Sequence, residues 1–197
     1  FPILTLAKEM RPVIQPQRDF FVSFDFNGAE LRTLLALGGS EQPLEDIHEW
    51  NRVNVYRENG SREEAKKRLF SWLYNPGSKD QMANKFYDRE SLVKKHWDGT
   101  YINTPYGRKI EVDKRRALNY LIQSTTSDMV LEQAVKLDKF LEGYNSRIAF
   151  IIHDEVVLDI DKEEAHLIPQ MEQVFADTRF GTYMVGSKEG SDYGVAA

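Results

Sequence analysis

The sequence predicts an α+β fold, an antiparallel sheet covered by helices, and three observations carry that prediction. Residues 20 to 26, FFVSFDF, alternate with a period of two, so that Phe20, Val22, Phe24 and Phe26 share one face and Ser23 and Asp25 the other. Ile148 to Ile152 and Val156 to Ile160 are two apolar strands meeting at the charged tip His153-Asp154-Glu155. Between these strands lie long segments of helical spacing, so strands and helices do not simply alternate as in a parallel α/β chain.

The remaining elements follow in order. Ala29 to Leu37 reads as a helix ended by Gly38 and Gly39, and 44 to 58 as another, with Asp46, Ile47 and His48 near its start. Ser61 and Glu64 have capping-box spacing and open a helix to about Tyr74, stopped by Asn75-Pro76-Gly77. Residues 79 to 97 read as one polar amphipathic helix, and Tyr101 to Val112 as a hairpin turning at Pro105 to Gly107. From Asp113, a candidate N-cap, helical spacing continues to Leu141. Gln123 to Ser127 is a poor helix interior, read equally as a break or as a place where function overrides propensity. Asp161 and Glu164 cap a last helix to about Thr178, and Tyr183 to Val185 adds a short strand.

The 197 residues contain no cysteine, which excludes disulfides, thiolate metal sites and a thiol nucleophile and fits a reducing compartment. No apolar run reaches membrane-spanning length and no targeting signal is visible, so the expectation is a cytoplasmic protein without a membrane partner. The formal charge of −5 hides an asymmetry: residues 57 to 116 hold 15 Lys/Arg against 9 Asp/Glu, and the flanks are acidic. That is either a solvated helical face or a cationic element serving a polyanion near an acidic site.

Three constellations can carry chemistry. Asp25 and Asp154, 129 residues apart, each sit at a strand end. Two such carboxylates suit Mg²⁺, which prefers hard oxygens and keeps positions open for phosphates, although strand-end acids are more often merely solvated. Arg62, Lys66, Phe70 and Tyr74 recur every fourth residue and form one slanting stripe roughly 18 Å long. Two cations followed by two rings match a nucleoside triphosphate laid lengthwise, and equally an ordinary surface helix. Arg115, Asn119 and Gln123 repeat the step as a polar stripe able to bridge sugars and phosphates, or simply solvated.

Together these strings resemble the polymerase part of family A DNA polymerases, the bacterial DNA polymerase I group and its phage relatives. DFNGAELR from Asp25 resembles that family's motif A, REEAKKRLFSWLY from Arg62 its motif B, and HDE from His153 its motif C; Asp46-Ile47-His48, RRALNYLIQ and, loosely, GSKEGSDYG also match in order. The resemblance implies a palm from 1–58 and 113–197 and abbreviated fingers from 59–112. It implies Asp25, Asp154 and the carbonyl of Phe26 as ligands of two Mg²⁺ ions, with Mn²⁺ a possible substitute, and Glu155 supporting the site. Arg62 and Lys66 would grip the phosphates with His48 beside them, Lys66 being a candidate proton donor to pyrophosphate. Phe70 would pack on sugar and base, Tyr74 under the nascent pair, and Glu30 against C2′ to select deoxynucleotides. Arg115, Asn119, Gln123 and His153 would hold primer-template DNA.

The implied function is template-directed DNA synthesis from dNTPs, in the nucleoid or a phage-infected cell. Ser71 and Asn75 stand where the family usually has glycine, and only 44 residues separate Tyr74 from Asn119. No thumb is evident before Phe20 and no proofreading domain fits, so a fragment, a minimal relative or a chain needing an accessory subunit is expected. The alternatives are a primer-template-binding fragment that has lost catalysis and a single-subunit RNA polymerase, against which Glu30 argues. A metal-dependent phosphodiesterase leaves the Arg62 to Tyr74 stripe without a role.

Overall fold

The structure, a computed structural model, describes residues 3–197; the first two residues of the expected 1–58 segment lie outside the described residues. After a 3₁₀ helix at Lys8–Val13 come β1 (Phe20–Phe26), α1 (Ala29–Leu37), α2 (Ile47–Asn54) and α3 (Arg62–Tyr74). Then follow α4 (Gln81–Tyr87), α5 (Arg89–His96), the hairpin β2 (Tyr101–Asn103) and β3 (Lys109–Glu111), and α6 (Ala117–Phe140). Next are β4 (Arg147–Ile152), β5 (Glu155–Ile160), a 3₁₀ helix at Lys162–Leu167 and α7 (Ile168–Ala176). The chain closes with β6 (Asp177–Thr178), β7 (Gly181–Thr182), β8 (Val185–Gly190) and α8 (Tyr193–Ala196). Every strand pairing is antiparallel among the described residues, so the fold is α+β.

Two compact units emerge. One joins the residues up to Asn27 with Met129–Ala197, and the other is Gly28–Asp128. The first is built on a sheet of order β4-β5-β1-β8. The alternation of β1 does what its period demands: Phe24 and Phe26 are buried and stack on Phe175 of α7, at 5.9 and 4.2 Å between ring centroids. Phe21, on the opposite face, packs with Tyr193 and Ala196 of α8. The second unit is helical, and its core gathers Leu31, Leu34 and Leu35 of α1, Leu69, Trp72 and Leu73 of α3, and Leu118, Leu121 and Ile122 of α6. Among the described residues no helix is long and apolar enough to cross a membrane.

Several elements differ from the sequence expectation for local reasons. Residues 79 to 97 form two helices, because Asp88 takes a left-handed backbone (φ 45°), ends α4 and caps α5 by accepting the Ser91 N–H at 3.1 Å. Aspartate is among the few non-glycine residues that tolerate this conformation. The segment after Asp113 opens with a turn, and α6 starts only at Ala117. Gln123 to Ser127 neither break nor bend out of α6, since Ser124 Oγ bonds back to the Leu121 carbonyl and Thr126 bonds Thr33 at 3.0 Å. The segment after Asp161 is a 3₁₀ helix before it becomes α7, whose first turn holds a proline. The strand expected at 183 to 185 lies at Val185–Gly190, so polar and glycine-rich that no alternation marks it.

Candidate active site

Sheet register brings Asp25 and Glu155 together, and the turn before Glu155 adds Asp154. Asp25, near the end of β1, stands directly across from Glu155, the first residue of β5, and across from Gly186 of β8 on its other side. The β4-β5 turn adds His153 (φ 54°) and Asp154 immediately before Glu155. Asp25, Asp154 and Glu155 therefore line one open cavity of about 340 Å³. The Asp25 carboxyl is pushed up to about 6, first by desolvation against the sheet end and then by repulsion from Asp154 and Glu155. Burial also raises Asp154 and Glu155, while Ser23, Lys188 and Arg11 pull Glu155 back down. Such a set of crowded carboxylates is a donor set that a divalent cation would relieve. Among the described residues no group of three or more His, Cys, Asp or Glu side chains is arranged to hold a metal ion by itself. A hard ion here would keep water or substrate oxygens as its other ligands.

Phe26 ends β1 with its ring buried, next to Asp25. His153 is exposed at the hairpin tip.

The second group lies wholly within the helical unit. A capping box starts α3, with Ser61 N–H donating to Glu64 Oε2 at 2.7 Å and Glu64 N–H to Ser61 Oγ at 3.3 Å. Arg62, the first residue of α3, forks onto Asp46 at 2.9 and 2.7 Å. Asp46 also caps α2 by accepting the His48 and Glu49 N–H groups. His48 is 5% exposed, and its Nδ1 is buried without a hydrogen-bond partner. Desolvation, followed by the charge of Lys66, lowers its pKa to about 4, so the ring is neutral at physiological pH.

Phe70 lies 5.9 Å from the His48 ring and stacks on Tyr74 with planes 7° apart. The Tyr74 hydroxyl donates to the Glu30 carboxylate of α1, and Asn119 Nδ2 donates to the Tyr74 carbonyl at 3.2 Å. Glu30, His48, Arg62, Lys66, Phe70, Tyr74 and Asn119 thus form one neighbourhood around the α3 stripe. Gln123 is exposed on α6, and Arg115 is exposed in the turn before that helix, so the Arg115 to Gln123 stripe is helical only in part. Asn75 closes α3 with a negative φ of −101° and accepts the Gly77 N–H, so this backbone does not require glycine there.

Comparison with known proteins finds similarity to DNA polymerases of phage and bacterial origin. No family model matches the chain. The DNA polymerase of Mycobacterium phage L5 is 29% identical over 89% of this chain and 36% of its own length. The thermostable DNA polymerase I of Thermus aquaticus is 24% identical over 82% of this chain and 25% of its own. The chain is similar to part of each of these DNA polymerases. It spans about a third of the length of the phage relatives it matches. In fold, the chain aligns over 96% of its length with 43% of the POL domain of Pol1 from M. smegmatis, solved in complex with DNA primer-template and dNTP (TM-score 0.76, 17% identity).

Sequence reasoning missed four neighbours of the carboxylates: Arg11, Ser23, Lys188 and Tyr193. Ser23 carried a signal, since it shares the Asp25 face of β1. The others reach the cavity through pairings and packing that no local pattern encodes.

Proposed function

We propose that this chain is a catalytic region of a template-directed DNA polymerase, joining a primer 3′-hydroxyl to the α-phosphate of a deoxynucleoside triphosphate with release of pyrophosphate. The observation that carries the reading is the pairing of Asp25 and Asp154 on one cavity, crowded enough for Asp25 to titrate near 6. In this reading Asp25 and Asp154, with the Phe26 carbonyl at the strand end, hold Mg²⁺, or Mn²⁺ in its place. When bound, the two ions supply Lewis-acid activation of the attacking hydroxyl and charge stabilisation of the leaving pyrophosphate.

The chain's own residues do the positioning. Lys66 and Arg62 take the phosphates, Lys66 as the candidate proton donor to the leaving group and Arg62 by leaving part of its fork on Asp46. Neutral His48, with an unpartnered ring nitrogen, adds a hydrogen bond without adding charge. The stacked Phe70 and Tyr74 rings offer a platform to sugar and base, and the Tyr74 bond fixes the Glu30 carboxylate where a 2′-hydroxyl would meet it. Arg115, Asn119, Gln123 and His153 serve the primer-template, Glu155 steadies the carboxylate pair, and the 59–112 segment acts as fingers to the palm of the remaining chain.

Primer extension on a defined primer-template with Mg²⁺ and dNTPs tests this. Asp25→Ala and Asp154→Ala should each lower the rate on the order of 10³-fold or more. Activity near wild type in either variant rejects the reading.

A further inference from the structure

The starts of α2 and α3 share one carboxylate. Asp46 precedes α2, and its Oδ1 accepts the His48 N–H at 3.0 Å and the Glu49 N–H at 2.8 Å, as an N-cap does. The same side chain also takes a guanidinium side-on from 16 residues further along the chain: Arg62 Nε donates to Oδ1 at 2.9 Å and Nη2 to Oδ2 at 2.7 Å. Arg62 Nη1 donates to Glu63, whose side chain is 63% exposed against 25% for Asp46. One guanidinium is therefore held by two acids of unequal standing. Glu63 is a solvated neighbour, the kind of surface partner that contributes little and exchanges easily. Asp46 is largely shielded from water and is fixed from its own side by two backbone N–H groups.

We propose that Asp46 is a positioning residue for Arg62: it fixes the guanidinium side-on, so that the Nη1 end, held in the free chain by exposed Glu63, is the end that meets a triphosphate. The inference rests on the polymerase reading for the identity of that anion and deepens what that reading assigns to Arg62. Capping alone does not call for aspartate, since serine, threonine or asparagine serve a helix start about as well. The fork does call for it, because a side-on guanidinium needs two acceptor oxygens in one plane. A long, partly exposed arginine otherwise loses rotamer freedom at the moment it grips an anion, and ordering it beforehand raises affinity. The consequence runs against simple electrostatics. Removing a negative charge beside an anion site ordinarily strengthens anion binding, whereas removing this one weakens it.

Asp46→Asn keeps a capping oxygen and sets an amide N–H against Arg62 Nη2, two donors that cannot pair. Glu63→Gln removes the same unit of charge from the other acid. Binding of inorganic tripolyphosphate with Mg²⁺ to the free chain, read by calorimetry, should weaken about tenfold in Asp46→Asn and tighten about two- to fivefold in Glu63→Gln. In an Arg62→Ala background, Asp46→Asn should add almost nothing. The thermal midpoint should fall less in Asp46→Asn than in Asp46→Ala, which also loses the cap. In primer extension the same defect should appear as a raised dNTP KM more than as a lowered kcat. Tripolyphosphate binding in Asp46→Asn at or above the wild-type affinity overturns the proposal, as does an undiminished effect with Arg62 absent or a wild-type chain that binds no tripolyphosphate. A wild-type chain that binds tripolyphosphate but extends no primer counts against the polymerase reading alone.

Discussion

The β1-β5 end of the sheet and the polar face of α3 both carry proposed site residues, yet they hold their charges in opposite ways. At the sheet end, acids distant in sequence are crowded by strand register, and Asp25 is raised to about 6 by desolvation and by its neighbours. On α3 the cation at the helix start is already matched, Arg62 by Asp46, and Arg68 further along pairs with Asp80. One surface stores repulsion that a cation would relieve. The other is a prepaired lattice, which in the proposed reaction would give up part of its pairing to an incoming anion. The difference teaches that the carboxylate group depends on the whole sheet, whereas the α3 stripe depends mainly on one helix and its cap.

Three substitutions would break or sharpen that contrast. The larger effect is expected at Lys66. Lys66→Ala should slow extension about 10²-fold or more, while Lys67→Ala, one residue on and exposed off the stripe, should stay within about twofold. Equal losses in the two, read by single-turnover extension, would mean that general positive charge and not the stripe matters.

A smaller effect concerns stability at His48. Its folded pKa, about 4, lies below the ordinary 6.5, so the unfolded chain takes up a proton that the folded chain refuses. Stability is therefore intact above pH 6.5 and falls as the pH drops toward 4. After allowance for solvent screening the loss is about 1 to 2 kcal/mol. His48→Gln should flatten that part of the stability-pH curve in denaturant titrations, and an unchanged slope would remove His48 as its source.

The same contrast explains what could be read from the sequence. The α3 stripe was legible because its capping box, its four-residue spacing and its stop at Asn75-Pro76-Gly77 are all local, and the helix runs from Arg62 to Tyr74 as those signals require. The β1 alternation and the apolar arms around His153-Asp154-Glu155 were legible for the same reason. β8 was not, because Val185 to Gly190 owes its strand conformation to hydrogen bonds with β1 and not to its own side chains. Nor was the split at Asp88, where a single residue's left-handed backbone outweighs helical spacing on both sides. Arg11 and Tyr193 were invisible as lining of the carboxylate cavity, since they reach it through tertiary packing that no local pattern encodes.

The central claim is that Asp25 and Asp154 act jointly on one divalent cation site. A double-mutant cycle on Mn²⁺ binding to the free chain, with Asp25→Ala, Asp154→Ala and both together, tests it most directly. Each single substitution should weaken binding about tenfold or more, and the double should be scarcely worse than either single, as shared ligands require. Unchanged binding in either single variant, or losses that simply add, would contradict it.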